Sequence, residues 1–134
     1  MSEEDFSRRR SPVVLSVEDH PATLYARDRI LRQKGFTVAN ATTGKAALDL
    51  AERLRPDLIL LDIMLPDMDG REVCRQLKEN PDLAHIPVVL ISASVTGHAQ
   101  KLEGMLWGGA DGFIVEPADA GTLESTIRKV LRSN

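Results

Sequence analysis

Acidic residues follow two apolar segments of this sequence, at the point where each segment ends. Asp62 comes directly after four apolar residues, 58–61. Glu18 and Asp19 come directly after the mainly apolar run 13–17. Such runs predict strands buried on both faces, as in a parallel sheet, and open α/β sheets place their sites at the carboxyl ends of strands. The alternative for Asp62 is a carboxylate that caps its strand or binds loop amides.

Carboxylates gathered at one edge of a sheet would repel one another. At an effective dielectric of about 20, two like charges about 4 Å apart cost on the order of 4 kcal/mol, so the cluster indicates a bound cation or a protonated carboxyl. The nearby His20 is assigned to the turn before Pro21, which leaves an all-oxygen site that favours Mg²⁺ over zinc. Beside Mg²⁺, Asp62 could attack phosphorus and form an acyl phosphate.

Ser92 is the fourth candidate, because it follows another apolar run, 88–91. Its hydroxyl could donate a hydrogen bond to a phosphoryl oxygen. Alone, a hydroxyl at this place more simply satisfies loop backbone groups. The neighbouring acids favour the functional interpretation.

The elements that would position these residues alternate along the chain. Apolar runs predict strands at 13–17, 37–41, 58–62, 88–91 and 112–115. Helical spacing predicts five helices, at 21–34, between Thr43 and Pro56, at 70–78, at 98–107 and after Asp119. Thr43, Asp69 and Asp119 are the predicted capping residues. Alternation of this kind predicts a flavodoxin-like, doubly wound α/β fold with a parallel sheet in the order 2-1-3-4-5. Strands one, three and four are then neighbours, and the acids and Ser92 share one rim.

Composition fits one globular domain. The chain has 134 residues, 43% hydrophobic and 28% charged, and we predict a disordered tail at 1–11 and a domain at 12–134. The net charge of −3 offers no attraction to nucleic acid or anionic membrane, and no stretch is long enough to span a membrane. The single cysteine, Cys74, fits a reducing compartment and a core position, so we expect a cytoplasmic protein.

Together these features resemble the receiver domain of two-component response regulators. The acid pair, the strand-three aspartate before Pro66 and Asp69-Gly70, and the strand-four hydroxyl all match. So does the segment G-A-D-x-F-x-x-x-P at 109–117. The resemblance covers residues 13–131, and it is the combination of motifs that makes it specific.

The resemblance implies a role for each residue. Asp62 would accept a phosphoryl group from a histidine kinase or a histidine phosphotransfer domain, so the domain would be no enzyme beyond promoting its own phosphorylation and dephosphorylation. Ser92 would be the switch hydroxyl and Phe113 the switch aromatic, although Phe113 also fits the edge of the core. Four residues would bind Mg²⁺: Glu18, Asp19, Asp62 and, through its backbone carbonyl, Met64.

Glu116 departs from the pattern, because receivers normally carry lysine before the proline that follows strand five. An anion here replaces the cation that would pair with the phosphoryl group. The resemblance predicts a cis bond before Pro117, and no replacement cation is evident nearby in the sequence. We therefore expect a weaker phosphorylation switch, which Glu116→Lys should strengthen.

Three further interpretations compete with a phosphorylated receiver. A pseudo-receiver would use the same fold as an interaction module without phosphate, as Glu116 suggests. An aspartate-nucleophile phosphatase would carry a second acid where this chain has Met64, and a flavin-binding domain would not place Glu18 and Asp19 where a phosphate must bind.

The resemblance also implies a partner surface or a homodimer contact on the fourth helix, fifth strand and fifth helix. Its apolar residues would be Leu102, Leu106, Trp107, Phe113 and Val115. Trp107 would be an exposed interface anchor or would fold back over the helix end.

Overall fold

A computed structural model describes residues 11–92 and 109–133. Five parallel strands form one sheet in the order β2-β1-β3-β4-β5, which confirms the predicted topology. The strands are β1 (Val13–Val17), β2 (Thr37–Ala41), β3 (Leu58–Asp62), β4 (Val88–Ser92) and β5 (Gly112–Val115). The described helices are α1 (Pro21–Gln33), α2 (Gly44–Leu54), α3 (Gly70–Glu79) and α4 (Ala120–Ser133). The predicted helix at 98–107 and residues 1–10 of the tail predicted at 1–11 lie outside the described residues.

Local sequence signals explain where the helices begin and end. The Thr43 hydroxyl accepts a hydrogen bond from the Ala46 amide at 3.0 Å and caps α2, and Asp69 accepts one from the Arg71 amide at 2.7 Å and caps α3. Asp119 does the same for the Thr122 amide, at 2.6 Å, at the start of α4. All three capping residues were predicted. After α1, Gly35 takes a φ of 94°, which favours glycine.

Strand β4 is one residue longer than the sequence predicts. Ser92 pairs with Val115 of β5, and the Ser92 carbonyl accepts a hydrogen bond from the Glu116 amide at 2.8 Å. The hydroxyl side chain therefore belongs to the last position of a strand rather than to a loop. This fixes its backbone at the rim.

Side chains on the two faces of the sheet form two separate cores. On one face, Leu15, Ile59, Leu61 and Leu90 pack against residues of α2 and α3, including the fully buried Cys74. Burial raises the pKa of the Cys74 thiol to about 11, which fits the predicted packing role.

On the other face, residues of β1, β3, β4 and β5 pack against α1 and α4. Leu58, Leu60 and Ile91 meet Leu31 of α1 and Ile127 of α4 there. Burying a large aliphatic side chain contributes about 1.5–3 kcal/mol, so the sheet is held firmly from both sides. The rim at the carboxyl ends of the strands is thus built on a rigid base. None of the helices in the described ranges has the length and apolar character of a membrane span.

Candidate functional site

The ends of β1 and β3 bring three carboxylates together. Val17 of β1 pairs with Leu61 of β3, so the residues that follow them, Glu18 and Asp62, lie side by side at the ends of these strands. One oxygen from each of Glu18, Asp19 and Asp62 lies within 4.8 Å of the others. A group of hard oxygen donors at this spacing fits Mg²⁺, which prefers carboxylates and keeps several waters.

Asp62 is half-buried at this rim, and its environment disfavours its charge. Burial raises the pKa of Asp62 to about 7, and the charge of Glu18 acts in the same direction. The Met64 amide, which donates to Oδ1 of Asp62 at 3.1 Å, and the Arg27 guanidinium oppose this rise. A cation that binds beside Asp62 would therefore favour its ionised form.

Glu18 is held in place on both of its carboxylate oxygens. The His20 amide donates to Oε2 at 3.0 Å, and Nη2 of Arg27 donates to Oε1 at 3.4 Å. Glu18 is only 4% exposed. The His20 ring instead lies 3.3 Å from the Thr23 hydroxyl, so His20 borders the site but belongs to the turn, as predicted.

The loop between β3 and α3 is tied down by its own backbone. The Gly70 amide donates to the Ile63 carbonyl at 2.7 Å. A Cβ atom on Gly70 would lie 2.0 Å from the Asp62 carbonyl oxygen, so only glycine permits this approach. The Asp67 carboxylate accepts from the amides of Gly44 and Lys45, at 2.8 and 3.0 Å, and fastens the loop to the start of α2.

A cleft of about 610 Å³ lies over the acids. It is lined by acidic side chains and by the loops that follow β1, β3 and β5: Glu18, Asp19, His20, Thr23, Asp62, Met64, Leu65, Pro66, Glu116 and Pro117. The structure therefore gathers most of the predicted site residues in one place. Met64, which lines the cleft, is 78% exposed, so its side chain meets solvent there.

Two predicted site residues stand beside the cleft and do not line it. Ser92 is 7% exposed at the end of β4. Phe113 of β5 is partly buried and packs against the core on the α2 and α3 side, which agrees with its core-edge interpretation. Ser92 lies on β4, which is next to β3, and Phe113 lies on β5, one strand further from the acids.

Glu116 follows β5, and the predicted cis bond to Pro117 is present. Its Oε1 lies 2.6 Å from Nη2 of Arg27, in a pair whose side chains are 29% and 4% exposed. The same nitrogen is the one that contacts Glu18.

The sequence places no cation close to Glu116, but the fold brings one into contact with it. Arg27 lies 89 positions away in sequence, and the fold brings α1 against the end of β5. The sequence carried one signal of this pairing, because Arg27 lies on the buried side of α1 with Leu31 and interrupts its apolar spacing.

Three residues of the predicted partner surface, Leu102, Leu106 and Trp107, lie outside the described residues.

Fold and site together define an α/β domain with an acidic rim whose carboxylates could hold a metal ion. The sequence matches the family model of the response regulator receiver domain over residues 14–128, so the chain belongs to that family of two-component signalling modules. Receiver domains are signalling modules that bind Mg²⁺ and interact with histidine kinases and phosphotransfer proteins.

Three relatives illustrate the similarity. The response regulator PleD of Caulobacter vibrioides is 40% identical over 119 residues, which cover 89% of this chain but only 26% of PleD. The receiver domain of a signal transduction histidine kinase from Syntrophus aciditrophicus is 33% identical with a TM-score of 0.83, and the match covers 92% of each chain. The receiver domain of the sensor histidine kinase PA1611 from Pseudomonas aeruginosa is 25% identical with a TM-score of 0.83, covering 92% of this chain and 98% of that one. The PA1611 domain holds a magnesium ion in its active site cleft.

Proposed function

We propose that this receiver accepts a phosphoryl group on Asp62 from the phosphohistidine of a histidine kinase or a phosphotransfer domain. The observation that supports it best is the half-buried Asp62 carboxyl, which lines the cleft and lies within 4.8 Å of Glu18 and Asp19. The cleft is exposed enough to admit a partner's imidazole. Its base is a rigid sheet edge that holds the reacting carboxylate in place.

The transfer is a displacement at phosphorus. An ionised Oδ of Asp62 forms the new P–O bond while the P–N bond to the donor imidazole breaks. The electron pair of that bond stays on the imidazole nitrogen, which takes up a proton. The products are an aspartyl phosphate and a neutral histidine on the partner.

The metal would sit among the residues that the resemblance implies: Glu18, Asp19, Asp62 and the Met64 carbonyl. Bound Mg²⁺ would neutralise the acid rim and the phosphoryl oxygens, as the magnesium found in the PA1611 cleft suggests. Asp62 must be ionised to react, and its raised pKa means that a neighbouring cation favours the reactive form.

Phosphorylation would act on the neighbouring strands. We propose that the Ser92 hydroxyl donates to a phosphoryl oxygen and that Phe113 responds to this movement from β5. The exposed Val115, at the end of β5, would border the surface offered to a partner or to a second copy. We place the protein in the cytoplasm, since the buried Cys74 suits a reducing compartment.

Incubation with acetyl phosphate and Mg²⁺, followed by intact-mass spectrometry, tests this proposal. The wild type should gain one phosphoryl group, Asp62→Asn should gain none, and the matched control Asp49→Asn, an exposed aspartate of α2, should behave as the wild type. A protein that is never modified, although folded, would instead be an interaction module that does not use phosphate.

A further inference from the structure

Arg27 is an unusual residue for the inner side of a helix. It is 4% exposed, and its Nη2 contacts two carboxylates, at 2.6 Å from Glu116 and 3.4 Å from Glu18. Its Nη1 is buried and has no hydrogen-bond partner within the described ranges. Desolvating a guanidinium is costly unless it is paired, so Arg27 depends on the two carboxylates that it contacts.

Glu116 alone would make the rim harder to phosphorylate. It lines the same cleft as Glu18, Asp19 and Asp62, so four carboxylates face one space that must also admit a phosphoryl dianion. Among the described residues, Arg27 is the cation that touches two members of this group. Four carboxylates and one guanidinium leave three net negative charges, as three acids alone would.

We propose that Arg27 is a positioning residue for the phosphoryl site, which supplies from α1 the positive charge that position 116 lacks. Its Nη2 lies between Glu116 and Glu18, offsets the repulsion between them and fixes the Glu18 carboxylate. This inference rests on the proposed function, since it assigns a second residue to the same reaction. Glu116 and Arg27 then act as a unit, and the anion at position 116 is not itself a loss of function.

The arrangement has a consequence that separates it from a purely structural ion pair. A guanidinium beside the rim repels Mg²⁺ but favours the anionic phosphoryl donor. Removing its charge should therefore strengthen metal binding and slow phosphorylation. A residue that merely kept α1 in place would weaken both when removed, because the rim would lose its geometry.

The test compares Arg27→Met with Arg27→Lys, Glu116→Gln and the double variant. Mg²⁺ alone is titrated into each protein and followed by amide chemical shifts, and phosphorylation by acetyl phosphate is measured separately at saturating Mg²⁺. Arg27→Met should bind Mg²⁺ about three- to tenfold more tightly and react about tenfold more slowly. Arg27→Lys should restore much of the wild-type behaviour, and Arg29→Met, at an exposed arginine of the same helix, should change neither measurement.

Glu116→Gln and the double variant complete the comparison. Glu116→Gln should weaken Mg²⁺ binding about threefold, because one anion is gone and the guanidinium is no longer neutralised. The double variant should return to within about twofold of wild type, because its net charge is again that of three acids. If Arg27→Met does not fold, the Glu116→Gln result still decides, since unchanged Mg²⁺ affinity there would overturn the inference.

These measurements separate the role of Arg27 from the phosphorylation of Asp62. Weaker Mg²⁺ binding in a folded Arg27→Met, with no recovery in the double variant, would overturn the role of Arg27 while leaving phosphorylation of Asp62 in place. A wild type that is never phosphorylated, but shows the expected order of Mg²⁺ affinities, would overturn the proposed phosphoacceptor and keep Arg27 as the residue that balances the charge of the rim.

Discussion

The environment of Asp62 favours its protonated form, but the proposed reaction needs its ionised form. Its burial and the charge of Glu18 raise its pKa to about 7, whereas the proposed reaction needs its anion. A metal ion reconciles the two, because it favours the ionised form without adding solvent. The carboxyl is therefore set to respond to the cation beside it.

The raised pKa makes stability depend on pH in the metal-free protein. Between about pH 4 and 7, the native state binds more protons at Asp62 than the unfolded chain does. The stability that protonated Asp62 contributes is therefore fully present below about pH 4 and is lost as pH rises through 7. Asp62→Asn removes the ionisation, and we expect it to raise Tm by a few degrees more at pH 8 than at pH 5. Thermal melts without Mg²⁺ would measure this. A difference in Tm that does not vary with pH would contradict the assigned environment.

Met64 bears on the lifetime of the aspartyl phosphate. Its side chain lies at the open mouth of the cleft and cannot hydrogen-bond an attacking water. We expect slow decay of the phosphorylated protein and decay several times faster in Met64→Asn, which supplies an amide. Loss of the phosphoryl mass after removal of acetyl phosphate gives the rate. Fast decay in the wild type, unaltered by Met64→Asn, would show that position 64 does not govern hydrolysis.

Glu116→Lys replaces an anion by a cation beside a guanidinium that is already present. The introduced ammonium would face Arg27, so we expect Mg²⁺ affinity to fall about tenfold. At saturating Mg²⁺, phosphorylation and beryllofluoride affinity should both rise, because a cation then faces the phosphoryl group. Titration of beryllofluoride, read by amide shifts, compares the two proteins. Equal affinity and equal amplitude would make Glu116 a bystander.

At the scale of elements, the site depends on where strands end and how the next loop turns back. The loop after β3 approaches the Asp62 backbone so closely that Gly70 admits no side chain, and Asp67 ties the same loop to α2. The close approach of Gly70 and the tie through Asp67 together hold the loop that follows Asp62 in place. Changes in this loop should affect stability and the site together.

Gly70→Ala tests this close approach. A methyl group would lie 2.0 Å from the Asp62 carbonyl oxygen, so backbone must shift, and we expect a loss of about 3 kcal/mol in the free energy of unfolding together with slower phosphorylation. Gly121→Ala is the matched control, because its Cβ would meet its nearest neighbour at an ordinary 3.5 Å. Urea unfolding measures the free energy of unfolding of both variants. A Gly70→Ala protein as stable as Gly121→Ala would show that the loop can relax without cost.

Sequence periodicity predicted the strands and capping residues well, because both are determined by nearby residues. Burial on both faces makes β3 a continuous apolar run, and Thr43, Asp69 and Asp119 cap helices that begin beside them. The pairing of Arg27 with Glu116 could not be predicted in this way. It joins α1 to the end of β5 across the sheet, and no local pattern encodes which distant charges will meet.

At the scale of the whole molecule, two cores hold the sheet while the functional groups stand at one rim. The rigid base keeps the acids close despite their repulsion, and β4 and β5 connect the rim to the exposed Val115. Trp107 lies outside the described ranges, and the family resemblance implies that it borders the partner surface together with Val115. We predict that its fluorescence changes with beryllofluoride or with protein concentration, and indifference to both would favour a tryptophan folded over its own helix.

Asp62 is the residue that we propose receives the phosphoryl group. The most direct test transfers phosphate from a phosphorylated histidine phosphotransfer domain in the presence of Mg²⁺, reduces the product with borohydride, and maps the modified peptide by mass spectrometry. We predict that Asp62 alone is converted to homoserine, and that chelation of Mg²⁺ prevents the conversion. An unmodified Asp62 beside a phosphorylated donor, or modification at another aspartate, would contradict the account.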